Sequence, residues 1–172
     1  MRVVETQQMQ FGELAIGDIE IDPKSRDDVP AVLKGLQWIY CHEPTRQRVF
    51  ELLQEKIQPG VDMKVGRPGM QLWRVLVLAV LKQGLNCDFD RLQDYANHHN
   101  TVRQMLGHSV GFHRGKPSKY QLQTLIDNVS LLSPELLSEI SQLVWPAVTS
   151  WLDISLVSPY AVAVTRLWLR PT

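Results

Sequence analysis

The side chains able to do chemistry are sparse in this 172-residue chain, and their spacing excludes more than it supports. Two-metal hydrolysis or transfer chemistry needs carboxylates that hold two divalent ions ~3.5–4 Å apart. Downstream of Gly107 the only acids are Asp127, Glu135, Glu139 and Asp153. Glu135 and Glu139 share a helix face at i, i+4, but with Asp127 they read as solvated or capping positions on amphipathic helices, and no sheet is evident to present a third acid. His98 and His99 are adjacent, so they cannot face one metal from one side of a helix, and no Cys or acid stands at ligand spacing. The Gly66–Gly69 segment lacks the Lys-Ser/Thr of a phosphate-binding loop, and no nucleophile elbow surrounds any serine. The expectation is a chain with no catalytic residue, no metal site and no cofactor.

Charge is the more informative chemistry. Eighteen basic and eighteen acidic residues cancel over the whole chain. Between Gly60 and Lys119, however, nine Lys/Arg face four Asp, a net of +5, and four of the five histidines lie there too. The rest carries −5, so an acidic frame surrounds a basic centre, which a polyanion would bind. Arg67, Arg74, Arg91, Arg103, Arg114, Lys116 and Lys119 are the candidates for phosphate contacts. His98, His99, Asn100, Thr101 and Gln104 are the candidates for reaching base edges. Plain solvation is at least as good a reading of any single one of them, and the cluster is better evidence than its members.

These residues must be positioned by helices. Phe11 to Pro30 has short alternating runs broken by glycine, proline and charge, which suggests an extended arm with little core. Pro30 suits the N1 position of a helix over Ala31–Tyr40, and a second helix follows over Pro44–Ile57, the two forming a hairpin. Gln71–Gln83 is apolar nearly all round, the pattern of a helix wrapped by its neighbours, with Gly84 as its C-cap. Asn86-Cys-Asp88 offers an N-cap for Phe89–Asn97, and Asn100 offers one for Thr101–Leu106, which Gly107 ends. This helix-turn-helix-turn-helix spacing is compatible with a major-groove reader, though many bundles that bind nothing share it. A basic loop, Val110–Lys119, leads to an amphipathic helix over Tyr120–Leu131. Ser133-Pro134-Glu135 marks the start of another, to Val144, and the two are expected to pair as a second hairpin.

From Trp145 to Thr172 the composition changes abruptly. These 28 residues contain no Glu, Lys, Gln, Asn, Gly or His, yet hold three of the five tryptophans and three of the ten prolines. Tyr160–Val164 has strand propensity without visible partner strands. Asp153, Pro146 and Pro159 argue against a spanning helix, and Leu72–Leu81 is too short to be one. Cys41 and Cys87 have no ligand or redox spacing, and the N-terminus lacks the apolar run of a signal peptide, so the cytoplasm is the expected compartment and no membrane association is expected.

Several ordered segments carry a resemblance: Gly66-Arg-Pro-Gly-Met70, Leu72-Trp-Arg-Val-Leu-Val-Leu-Ala-Val-Leu81, Asp90-Arg-Leu-Gln-Asp-Tyr-Ala96, Arg103-Gln-Met-Leu-Gly-His108, and Leu122-Gln-Thr-Leu-Ile-Asp-Asn-Val-Ser-Leu-Leu-Ser-Pro-Glu-Leu-Leu137. Through them Met63–Val144 resembles the N-terminal domain of insertion-sequence transposases of the InsH-like, IS-five-type group, DDE-class enzymes whose nuclease domain lies further on. The resemblance implies DNA recognition at the element's terminal repeats, dimer contacts, and chemistry residing elsewhere. It departs at Val144. There the family continues into a linker beginning roughly Gly-His-Lys-Leu-Val, and codons for Val148-Thr-Ser-Trp-Leu-Asp153, read one nucleotide earlier, can encode those residues. A frameshift near Val144 or Trp145 would account for the change in composition.

The expected architecture is therefore mainly α: an irregular arm over 1–30, a helical bundle with a helix-turn-helix-like tri-helical unit over 31–144, and a poorly structured, frameshift-derived apolar tail over 145–172. The expected function is that of a truncated transposase fragment, binding DNA without strand transfer. The alternative is an interaction module, using Trp73, the apolar tail and the hairpin helices to dimerise with a full-length transposase and inhibit it.

Overall fold

The computed structural model describes residues 14–22, 25, 27–57, 69–109 and 119–151. Among these residues it is a bundle of seven α-helices without strands: α1 (Val29–Cys41), α2 (Glu43–Ile57), α3 (Leu72–Gly84), α4 (Phe89–His98), α5 (Asn100–Met105), α6 (Leu122–Val129) and α7 (Pro134–Trp151), preceded by a 3-10 turn at Ile16–Asp18. The mainly helical architecture is thus the one the periodicity predicts.

The core is organised by α3. Nine of its residues, Leu72, Trp73 and Val75 through Leu81, are buried, and α1, α2, α4 and α6 all pack against it. Alternating apolar and polar faces would leave one side wet. Here the apolar residues run round the circumference, so the helix minimises exposed apolar area only when surrounded. Trp73 is 3% exposed. Its ring meets Tyr40 at 4.9 Å and Phe50 edge-on at 6.3 Å, and its indole N–H donates to the Met105 carbonyl at 2.9 Å, which satisfies the one polar atom that burial would otherwise orphan.

Side-chain caps start three of the helices, α4, α5 and α7. Asp88 accepts from the Arg91 N–H at 2.8 Å and starts α4, and Ser133 accepts from the Leu136 N–H to start α7. Two caps differ from expectation. Gly84 is the last residue inside α3 rather than its cap; the left-handed residue that turns the chain is Asn86, at φ 47°, a conformation asparagine tolerates better than most residues. Gly84 is small for another reason, since a Cβ there would stand 3.2 Å from Cγ2 of Val32 on α1. Similarly, α5 is capped by His99, whose Nδ1 faces the Val102 N–H at 3.4 Å, and Asn100 is the first helical residue. Gly107, at φ 70°, ends that turn as expected.

Three long-range expectations are corrected. Residues α6 and α7 do not form the second hairpin: α6 packs on α3 and α4, while α7 returns to α2, bridged by Lys56–Glu139 at 3.6 Å. Leu125 and Val129 are absorbed by the central helix, leaving Leu136, Leu137, Ile140 and Val144 of α7 to be buried elsewhere. The arm contributes core, because Ile19 is 3% exposed and the buried Gln37 amide donates to the carbonyls of Ile16, Gly17 and Ile19 at 2.9, 3.2 and 2.9 Å. Finally, α7 continues beyond Val144 and through Pro146 to Trp151, so the helix does not stop where composition changes. The rest of the expected apolar tail, 152–172, and residues 1–13, 23, 24 and 26 of the arm lie outside the described residues.

Truncating the central helix should be far more damaging than truncating a surface leucine. Leu78→Ala, at a fully buried position, is expected to cost about 2–5 kcal/mol in urea unfolding, and Leu131→Ala, 38% exposed, less than about 1 kcal/mol. Equal losses would refute the assignment of α3 as the buried post.

Candidate nucleic-acid interface

Three chain segments far apart in sequence meet at one corner of the bundle. The first is the N-terminal turn of α3, which carries Trp73 and Arg74. The second is the end of α5 and the Gly107–Ser109 turn. The third is Tyr120, on the approach to α6. Trp73 binds Met105, as above, and one residue further on the Arg74 guanidinium donates through Nη2 to the Gly107 carbonyl at 3.5 Å. His108 Nε2 lies 2.8 Å from the Tyr120 hydroxyl, with the two rings edge to face at 5.5 Å. Residue 120 is further locked to α4. Its N–H donates to Asn97 Oδ1 at 2.7 Å, and its carbonyl accepts from Asn97 Nδ2 and Gln93 Nε2, each at 3.0 Å. The Asn97 amide thereby acts as a substitute backbone partner, meeting both the donor and the acceptor of Tyr120.

This arrangement fixes the roots of both basic segments. The segment bearing Arg67 ends where α3 begins, beside Arg74, and the segment bearing Arg114 and Lys116 leaves from Ser109 and returns at Lys119, beside the His108–Tyr120 pair. Arg67, Arg114 and Lys116 themselves lie outside the described residues. Lys119 is exposed and Arg74 half-buried.

The other candidates divide. Asn100, Thr101 and Gln104 lie along one face of α5, with Asn100 exposed and the other two half-exposed, while Val102, Arg103 and Met105 point inward. This face offers uncharged donors and acceptors of the kind that read base edges. His98 is exposed, but its Nδ1 is 2.8 Å from Asp94, and His99 is occupied in capping α5 and packs edge-on against Tyr95 at 6.1 Å. Arg103 is corrected as a phosphate contact. It is 7% exposed and its Nη1 donates to the carbonyls of Ala96 and Asn97 at 3.4 and 3.5 Å, so its charge neutralises the C-terminal end of α4. Arg91 is exposed, and Asp27 is near enough to be felt. Its guanidinium lies over the Tyr95 ring at 5.6 Å and donates to that residue's hydroxyl at 3.1 Å, a setting that weakens it as a phosphate ligand.

Tyr120 and His108 were not among the sequence candidates, and neither was Asn97. Burial pushes the Tyr120 phenol up from its ordinary pKa of 10.0, while the positive charges of Arg74 and Arg103 pull it back. The phenol therefore keeps its proton at neutral pH. Among the described residues no three His, Cys, Asp or Glu side chains come together as a metal site, and no helix is long and apolar enough to cross a membrane.

Two measurements follow from this geometry. Asn97→Ala removes the acceptor of the Tyr120 N–H and one of the two donors to its carbonyl, and should cost about 1–3 kcal/mol of stability, detectable in urea unfolding. The raised phenol pKa means that the folded state holds its proton longer than the unfolded chain, so stability falls as pH rises above about 10. In an ultraviolet alkaline titration the Tyr120 phenol should ionise late, and Tyr120→Phe should remove that late step; an unchanged titration would contradict the burial. No known protein family matches this chain, and neither does any curated protein or any solved structure.

Proposed function

We propose that this chain binds duplex DNA at the corner where α3, the Gly107–Ser109 turn and Tyr120 meet, as the N-terminal part of an InsH-like insertion-sequence transposase, and that it performs no strand transfer itself. The observation that carries the reading is the joining of α3, the Gly107–Ser109 turn and Tyr120 at one corner through Arg74–Gly107 and His108–Tyr120. Arg74 and Lys119 stand at this corner, and the polar face of α5 lies in the chain segment directly before it.

Three of the downstream acids have surface duties, which supports binding without cutting. Asp127 accepts from Gln123 at 2.7 Å, Glu139 pairs with Lys56, and the carboxyl of the exposed Glu135 is held below its ordinary pKa by the Ser133 hydroxyl. Asp153 lies outside the described residues. The alternative reading as an inhibitory interaction module loses one of its supports, because Trp73 is buried and cannot form an intermolecular contact.

The test is fluorescence anisotropy on a short duplex over about 50–200 mM salt. The association constant should fall steeply with salt, and the triple variant Arg114→Ala/Lys116→Ala/Lys119→Ala should flatten the log–log slope by about 2–3. A salt-independent affinity, or a slope unaffected by the three substitutions, would refute the proposal. Self-association without DNA in sedimentation, with no DNA affinity, would favour the interaction module instead.

A further inference from the structure

A single residue, His99, joins α4, which ends at His98, to α5, which begins at Asn100. It is extended, at φ −82° and ψ 112°, and it closes both helices. Its N–H donates to the Tyr95 carbonyl at 3.1 Å, which finishes α4. Its carbonyl accepts from the Arg103 N–H at 2.9 Å and its imidazole Nδ1 from the Val102 N–H at 3.4 Å, so backbone and ring together start α5. Serine, threonine, aspartate and asparagine usually serve as such caps, and all of them keep an acceptor oxygen through the neutral range. An imidazole accepts only while it is neutral, because the charged ring carries a hydrogen on both nitrogens.

The helix ends pull a charge on this ring in opposite directions, the C-terminal end of α4 favouring it and the N-terminal end of α5 opposing it. The bond to Val102 is left to decide. The charged groups on the surrounding elements are engaged elsewhere or exposed. On α4, Asp94 is bonded to His98, Arg91 donates to the Tyr95 hydroxyl and Asp90 is exposed; the Tyr95 ring itself meets His99 edge-on. On α5, Arg103 is bonded to the carbonyls of Ala96 and Asn97. On α1, which packs against α5, Lys34 donates to Gln37, Tyr40 packs on Trp73 and Cys41 is exposed. On α3, tied to α5 by Trp73, Arg74 donates to Gly107 and Lys82 lies over the Phe89 ring.

We propose that His99 is a pH-sensitive joint between α4 and α5: neutral, its ring fixes the first turn of α5, and charged, it releases that turn. Imidazoles gain their charge as pH falls from about 8 to about 5, so the cap is present at the top of that window and lost at the bottom. The face bearing Asn100, Thr101 and Gln104 begins in the released turn. Acidification therefore weakens DNA binding through this joint, a consequence that rests on the DNA-binding reading, whereas the joint itself does not. The sign is diagnostic, since a histidine that merely touched phosphate would bind more tightly once charged.

The experiment uses the full chain and compares wild type with His99→Asn, whose side chain caps without titrating. In amide NMR spectra recorded from pH 8 to pH 5, the Val102 N–H of wild type should move with the same midpoint as the His99 ring, and in His99→Asn it should stay still. Between pH 7.5 and pH 5.5 wild type should lose about 2–5 °C more in Tm than the variant. On duplex DNA over the same interval, wild-type affinity relative to His99→Asn should fall about three- to tenfold. A Val102 amide indifferent to pH, or one that moves equally in both proteins, would overturn the joint. An affinity ratio that stays constant or rises on acidification would overturn its control of DNA binding. Titration of Val102 in a protein with no DNA affinity at either pH would sustain the joint and defeat the DNA reading. Should His99→Asn fail to fold, the Val102 titration of wild type alone decides.

Discussion

The all-round burial of α3 is the constraint from which the rest of the molecule follows. Each large apolar side chain taken from water contributes about 1.5–3 kcal/mol, and nine buried residues on one helix require neighbours on every side. Helices α1, α2, α4 and α6 supply them. Gly84 permits α1 to approach at one end of the post, where Val32 fills the space a side chain would need. At the other end Trp73 needs an acceptor for its indole N–H and takes it from Met105, which draws the end of α5 against the start of α3.

That last contact carries the fold toward function. Once Met105 is fixed, Gly107 and His108 are fixed within a turn of it, and Arg74 and Tyr120 acquire partners there. The polar chemistry of the corner thus results from hydrophobic packing a few ångströms away. Elsewhere charge is handled in ordinary surface pairs such as Arg46–Glu43 at 3.8 Å, which are worth little individually. At the corner the arginines also bond to backbone carbonyls, Arg74 to that of Gly107 and Arg103 to those of Ala96 and Asn97.

Much of the scaffold was legible in the amino-acid pattern, because it depends on neighbours three or four residues apart. Periodicity together with cap and turn residues located the seven α-helices of the described residues, the unbroken apolar circumference of 72–81 identified the central post, and Asp88 and Ser133 announced their caps. What escaped depends on residues distant in sequence. Asn97 and Tyr120 are 23 positions apart, Arg74 and Gly107 are 33 apart, and nothing in local spacing couples them. Arg103 looked like its basic neighbours because burial of an arginine against helix-end carbonyls leaves no periodic trace. The α6–α7 hairpin was expected from two adjacent amphipathic helices, and adjacency lost to the larger demand of α3 for a partner.

The central claim is that one corner of the bundle is where DNA meets this protein, and amide hydrogen exchange with and without a duplex tests it most directly. The account predicts added protection concentrated at the first turn of α3, at Gly107–Ser109 and around Tyr120, with the α2–α7 face unchanged. Protection centred on α2 and α7, or none anywhere at saturating DNA, would contradict it.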